Sequence, residues 1–341
     1  MTTMDRPARS AADVLTWSKG LFDPALKAAA DRLPESMRKI AGYHFGWWDS
    51  RGEPVRAGGG KALRPALVLL CAEAAGGDPA DAVPAAVAVE LVHNFSLLHD
   101  DVMDGDETRR HRPTAWSVFG IGPAVLAGDA LLSLAFEVLA PAGGAEAAHL
   151  LSSAVLSLLD GQAADVEFEQ RTNVTPAECE RMAAGKTGAL LGASCALGAH
   201  AVAARSELTA RLGAFGRSLG LAFQHIDDLL GIWGDPAVTG KPVYSDLQNR
   251  KKSLPVVAAL AAGTTASAHL ATLYASPHDL SAPELIRAAE LVDEAGGRRW
   301  SQSQADALLT AALHDLALAN PVPRPAAELA TLARLITHRT Y

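Results

Sequence analysis

Apolar positions recur three and four residues apart along most of the chain, and no sustained apolar-polar alternation appears anywhere. That period is helical, so the chain is expected to be all-α. Leu15 to Trp48 carries helical spacing of Leu, Phe, Ile and Trp, broken at Pro24 and Pro34. Met1 to about Ala12 reads as a loose tail, leaving 13–341 as one domain. Asp49 to Gly60 is a Gly-rich loop, and Pro84 opens the helix that follows the next apolar run. Further helices are expected over Gly120 to Ala140, from the Thr175-Pro-Ala-Glu178 capping box, and from Glu207 to about Trp233. Ser281-x-x-Glu284 and Ser301-x-x-Gln304 are expected to cap two later helices, and a last one runs to about His338. No repeat of solenoid length and no domain linker interrupts the series.

Two of these helices end in acid. The face His93, Leu97, Asp100, Asp104 follows the helical period, with Asp101 within reach of Asp104. Crowded like charge destabilises a helix end. A hard divalent cation relieves it, and Mg²⁺ takes one or two carboxylates plus phosphate oxygens. The bland reading is a solvated acidic end, and this stretch alone leaves the two even. Arg109 and Arg110 follow closely. The second helix places Gln224, Asp227 and Gly231 on one face, and Lys241, Arg250, Lys251 and Lys252 come after it. Before the first helix, Gly58-Gly-Gly-Lys61-Ala-Leu-Arg64 sets two cations behind glycines whose N–H groups can approach an anion.

If the two acidic ends face one another, their carboxylates can hold several Mg²⁺ ions around a diphosphate. Metals plus cations make diphosphate a leaving group without proton transfer. A carbocation left behind needs a dry apolar cavity, which a bundle rich in Ala and Leu supplies.

Composition narrows the partners. The chain has 341 residues, 49% hydrophobic and 20% charged, with a net charge of −8. A nucleic-acid surface is therefore not expected. Cys71, Cys179 and Cys195 lack metal-site spacing and suit buried thiols in a reducing, cytoplasmic compartment. The N-terminus has no signal-peptide core. The longest weakly polar run, Gly188 to Ala204, is too short and too rich in Ala and Gly for a transmembrane segment.

Taken together, the motifs resemble the trans-isoprenyl diphosphate synthase (polyprenyl synthetase) family. The match comprises Gly59-Gly-Lys-x-x-Arg-Pro65, Glu90-Leu-Val-His-x-x-Ser-Leu-Leu-His99, Asp100-Asp-Val-Met-Asp104 with Arg109-Arg110, Lys186-Thr187, Phe223-Gln224, and Gly240-Lys241 through Lys251-Lys-Ser-Leu-Pro255, in the family's order. The resemblance implies an isoprenoid-synthase-type bundle around a central apolar cavity and a homodimer. It implies Mg²⁺, three ions with substrate bound, on Asp100, Asp104 and Asp227 with Asp101 supporting. Arg109, Lys186, Lys241 and Lys251 would hold an allylic diphosphate, with Thr187 and Gln224 steadying the cation. Lys61, Arg64, His93 and Arg110 would hold isopentenyl diphosphate.

One position departs from the family pattern. The second motif reads Asp227-Asp-Leu-Leu-Gly231, without its third carboxylate, a form that resembles actinobacterial members. Asp228 or Asp235 is a possible substitute. Phe95 lies five residues before Asp100, about 7 Å lower on the helix, with small Ser96 beside it. That arrangement resembles short-chain synthases, implying products of fifteen to twenty carbons, twenty preferred. The rivals are a terpene cyclase of the same fold, which needs no isopentenyl site, and a non-catalytic subunit, which would not need the complete first motif. A metal-binding bundle of other purpose leaves the basic loops unexplained.

Overall fold

The computed structural model describes residues 7–55, 60, 62–236 and 243–337. Within them the chain is helical apart from a miniature hairpin, Thr108–Arg109 paired antiparallel with Arg112–Pro113. Packing groups the residues into two interleaved units. One comprises Met1–Val155, Leu190–Gly216 and Asp315–Leu332; the other comprises Leu156–Ala189, Arg217–His314 and Ala333–Tyr341.

In the first unit, the helix Ala11–Ala30 begins inside the stretch expected to be loose. Ser10 caps it by accepting from the Asp13 N–H, and Pro24 is accommodated within it. Val14, Ser18, Phe22 and Leu26 bury one stripe. Arg9 is tied by its side chain to Glu73 and Glu328 and lies 3.8 Å over the Trp17 ring. Leu63–Ala74 and Val83–Met103 are apolar nearly all round and accordingly buried, packed on each other and on the first helix. Ile121–Gln170 is two helices joined at Gly144, whose φ of 63° and ψ of −159° no L-residue adopts readily.

In the second unit, Thr175 and Glu178 form the expected capping box for Pro176–Ala183. A π turn, Ala184–Gly188, follows directly. Leu254–Ala261, Thr265–Tyr274 and Ala282–Glu294 pack around Val256, Leu270, Leu291 and Val292. Ser281 caps as expected. Ser301 does not: it lies inside Gly297–Leu318, fully buried, where its hydroxyl meets His225 Nδ1 at 2.8 Å. A buried imidazole needed a partner more than the helix needed a start.

Two helices, Pro79–Met103 and Ile121–Gln170, have the length and composition to cross a membrane. The apolar window of the first is 72% buried in the protein, as suits a core helix, and the second is broken at Gly144. The Gly188–Ala204 run forms the buried helix Ala189–Ala201.

Candidate active site

In the first unit, Val83–Met103 is buried until its last turn, where the three aspartates separate by environment. Asp100 is half-buried, Asp104 is exposed, and Asp101 is 1% exposed. Arg109 donates to Asp101 Oδ1 through Nε and Nη2, each at 2.7 Å. Burial nonetheless pushes the Asp101 carboxyl up to about 6 against the pull of Arg109. Asp101, expected among the metal ligands, is thus the buried partner of Arg109. It faces inward because it sits on the helix side that the core covers.

The hairpin explains how Arg109 gets there. Its two-residue turn is Arg110-His111, both left-handed with φ of 51° and 61°. Such turns favour Asn-Gly, and two side-chain-bearing residues cost about 1 kcal/mol each. The turn is held by Arg112, which donates to the Tyr43 and Trp48 carbonyls at 3.1 Å each. The strain sets two consecutive arginines on different neighbours. Arg109 meets Asp101, while Arg110 Nη2 lies so near Gly60 that an added Cβ there would stand 2.7 Å away.

Arg64 opens the Leu63–Ala74 helix. Its buried Nε finds no partner among the described residues, and burial lowers its pKa to about 10 against the attraction of Glu90. His93 is held neutral by burial and by Arg64, Arg110 and Arg109 nearby. His44 is likewise lowered to about 3 by burial and by Arg110 and Arg109. Glu90 is buried, raised by that burial, and receives Asn94 Nδ2 at 3.1 Å. His44 carries no motif signal, and Glu90 opens the matched segment Glu90–His99 without a role assigned to it; packing brings both to these arginines. Beneath the aspartates, Phe95 is 3% exposed and meets the His99 ring edge-on at 4.8 Å. His99 Nε2 in turn reaches the Val125 carbonyl at 3.0 Å.

The second unit repeats the division of labour. Asp227 is exposed and Asp228 is 3% exposed. Thr187 Oγ1 donates to Gln224 Oε1 at 2.6 Å, and Gln224 Nε2 donates to Asp228 Oδ1 at 2.8 Å. The Leu254 N–H closes the chain on Asp228 Oδ2 at 2.8 Å. Burial pushes the Asp228 carboxyl up to about 7, against Lys251. Asp228 therefore anchors the second motif as Asp101 anchors the first.

The π turn bears Lys186 and Thr187, and π turns are frequent at functional positions. Its close approach depends on glycine: a Cβ at Gly161 would lie 2.3 Å from the Lys186 nitrogen, and one at Gly185 would lie 2.6 Å from the Ser157 carbonyl. Lys186 Nζ meets Asp165 Oδ2 at 2.6 Å. Burial would raise Asp165, but Lys186 and Lys251 outweigh it and hold the carboxyl below its usual value. Lys251 is half-buried, and desolvation alone would lower its pKa, yet Asp246, Asp228, Asp165 and Asp227 keep it firmly protonated. Asp165 and Asp246 escaped the sequence reading, since neither belongs to an acidic run. At Gly231 the missing aspartate is answered by Asp246, whose carboxyl occupies the space a Cβ would enter, at 2.4–2.6 Å. Lys61 and Lys241 lie outside the described residues.

Helix ends that pair an open carboxylate with a buried one, each beside clustered cations, are carried here on the all-α frame of the isoprenoid-synthase class. A family model described as polyprenyl synthetase matches residues 52–290. A (2E,6E)-farnesyl diphosphate synthase of Mycobacterium tuberculosis is 50% identical, over 98% of this chain and 95% of that one. A geranylgeranyl diphosphate synthase of the same organism is 48% identical, over 93% and 90%. The crystal structure of a polyprenyl synthetase from Streptomyces coelicolor superposes with a TM-score of 0.92 at 47% identity, covering 96% of this chain and 99% of that one. The chain belongs to the polyprenyl synthetase family. It is a trans-prenyltransferase, a short-chain trans-prenyl diphosphate synthase.

Proposed function

We propose that the enzyme condenses isopentenyl diphosphate with an allylic diphosphate to a product of fifteen to twenty carbons, with geranylgeranyl diphosphate preferred. The observation that supports the length is the Phe95–His99 ring pair below Asp100: one aromatic, braced by a second ring, would close part of a path down the helix, with small Ser96 next to it in sequence.

The donor set fits Mg²⁺. Among the described residues no three His, Cys, Asp or Glu side chains converge to hold an ion unaided. That suits an ion that takes one or two carboxylates and completes its shell with water and substrate phosphate. Asp100 and Asp104 would hold it in the first unit and Asp227 in the second, with three ions when substrate is bound. Bound there, Mg²⁺ offsets the charge growing on the departing diphosphate.

The chain's own groups do the rest. Lys186, paired with Asp165, and Lys251, kept protonated by the carboxylates around it, hold the allylic diphosphate with Arg109 and Lys241. Thr187 and Gln224, locked in series to Asp228, steady the allylic cation without a mobile charge. Arg64, Arg110 and Lys61 take the isopentenyl diphosphate, and neutral His93 can donate one N–H to it. The isopentenyl double bond attacks the allylic carbon, and the released diphosphate accepts the proton lost. The three cysteines, free and buried, suit a reducing cytoplasmic setting.

The enzyme works as a homodimer. Leu156, Leu159 and Val166 are 67%, 41% and 36% exposed and share a helical stripe with exposed Ala163, an apolar face that a second copy would cover.

The test is incubation with Mg²⁺, labelled isopentenyl diphosphate and each allylic primer, with products resolved before and after phosphatase. Elongated alcohols that appear only after phosphatase are expected, and Phe95→Ala is expected to lengthen them. A hydrocarbon formed without phosphatase would mean a cyclase, and no product a non-catalytic subunit.

A further inference from the structure

A cavity of about 190 Å³ lies in the first unit between the N-terminal helix and the arginine hairpin. Lys19, Asp23, Lys27, Glu90, Asn94 and Arg110 line its polar side, and Phe22, Phe45 and Trp47 its apolar side. It has room for several waters or for a small hydrated anion. No motif points to Lys19, which lies some forty residues upstream of the first one.

The charges in this region do not balance. Lys19, Arg64 and Arg110 all act on the single buried carboxylate of Glu90. Among the described residues Glu90 makes no ion pair within 4 Å; its near contact is the Asn94 amide. Lys19 likewise has none, although Asp23 one turn on feels both it and Lys27. Lys19, Lys27, Arg64 and Arg110 against Glu90 and Asp23 leave a net positive, partly desolvated site, and such charge is costly until an anion arrives. Glu90 makes the empty state tolerable without occupying any arginine's hydrogen bonds.

We infer that Lys19 is a further substrate-binding residue: a cation from the N-terminal helix that contacts the isopentenyl diphosphate held by Arg64 and Arg110. This rests on the assignment of those two arginines to that substrate. Lys19 is half-buried and lines the cavity together with Phe22 and Trp47, a setting in which its stem can cover apolar wall while the ammonium faces an anion. The N-terminal helix, outside every family motif, thereby gains a part in substrate affinity.

The test compares Lys19→Ala, Lys19→Arg and Arg51→Ala, the last an exposed cation removed as a charge-matched control. Steady-state kinetics and calorimetric titration of isopentenyl diphosphate are run on each variant. Loss of one charge-assisted contact predicts about a tenfold rise in both KM and Kd for isopentenyl diphosphate in Lys19→Ala. The kcat should stay within about twofold, with KM for the allylic substrate unchanged. Lys19→Arg should recover most of the loss and Arg51→Ala should show none. Unchanged Kd in Lys19→Ala, or an equal loss in Arg51→Ala, overturns the inference while chain elongation still stands. A wild-type protein that neither elongates nor binds isopentenyl diphosphate overturns the assignment beneath it as well. Thermal melts of each variant separate lost affinity from lost folding.

Discussion

Restoring the aspartate that the second motif lacks should harm this enzyme rather than improve it. In Gly231→Asp, the new Cβ would lie 2.4 Å from Asp246 Oδ2, where ordinary contacts begin near 3.4 Å. Asp246 can swing away only in part, because its carbonyl accepts the Lys251 N–H at 2.9 Å and its carboxylate is the foremost group keeping Lys251 protonated. Overpacking of this kind costs about 1–3 kcal/mol. Two carboxylates about 4 Å apart at an effective dielectric of about 20 repel by about 4 kcal/mol, which Lys251 and solvent reduce. A net loss of about 2–3 kcal/mol is the working figure. Unfolding entropy of about 2.1 cal/mol/K per residue over 341 residues gives about 0.7 kcal/mol/K, so Tm should fall by about 3–4 °C. The double variant Gly231→Asp/Asp246→Ala should recover most of it. The measurements are thermal melts and Mg²⁺ titrations of activity. A single variant that melts with the wild type, or one that needs less Mg²⁺, would refute the reasoning.

Other perturbations reach different parts of the site. His44 has a folded pKa of about 3 because of burial and the neighbouring arginines, below its unfolded 6.5. Its contribution is therefore present above about pH 6.5 and lost as pH falls toward 3, at up to about 1.4 kcal/mol per pH unit. Urea melts across that window should show a shallower slope for His44→Gln. Gly161→Ala drives a Cβ against the Lys186 backbone nitrogen. It should displace the π turn, cost about 1–3 kcal/mol and raise KM for the allylic substrate more than for isopentenyl diphosphate, as initial-rate kinetics would show. Arg9→Ala leaves Glu328, whose side chain is fully buried, with Arg324 as its remaining cation among the described residues, beside the backbone N–H of residue 9. A loss of about 3 kcal/mol is expected, about 4 °C in Tm by scanning calorimetry.

The helical period and the order of motifs made the fold class and family legible from residues alone. The internal geometry of the motifs was not. Asp100 and Asp101 are identical letters, and only the side of the helix that the core covers makes one a surface ligand candidate and the other a counter-ion. The same holds for Asp227 and Asp228. Asp165 and Asp246 act through contacts 21 and 15 residues distant in sequence, to Lys186 and Gly231, and no local pattern marks such pairs. Ser301 looked like a helix cap because the letters Ser-x-x-Gln satisfy the rule; a buried histidine on another helix claimed it instead. The hairpin was missed because its turn lacks the Asn-Gly signal that its φ angles call for.

Arg9 and Glu328 meet across a separation of 319 residues. A ribosome releases Arg9 long before Glu328 exists, and the first unit includes Asp315–Leu332. That unit therefore stays unfinished until residues 315–332 have been made, with Glu73 at the end of Leu63–Ala74 waiting on Arg324. A chain cut before Asp315 would keep both acidic motifs and leave its first unit unclosed. Loss of the C-terminal helix should then register as proteolysis and chaperone capture before any deficit in chemistry could be measured.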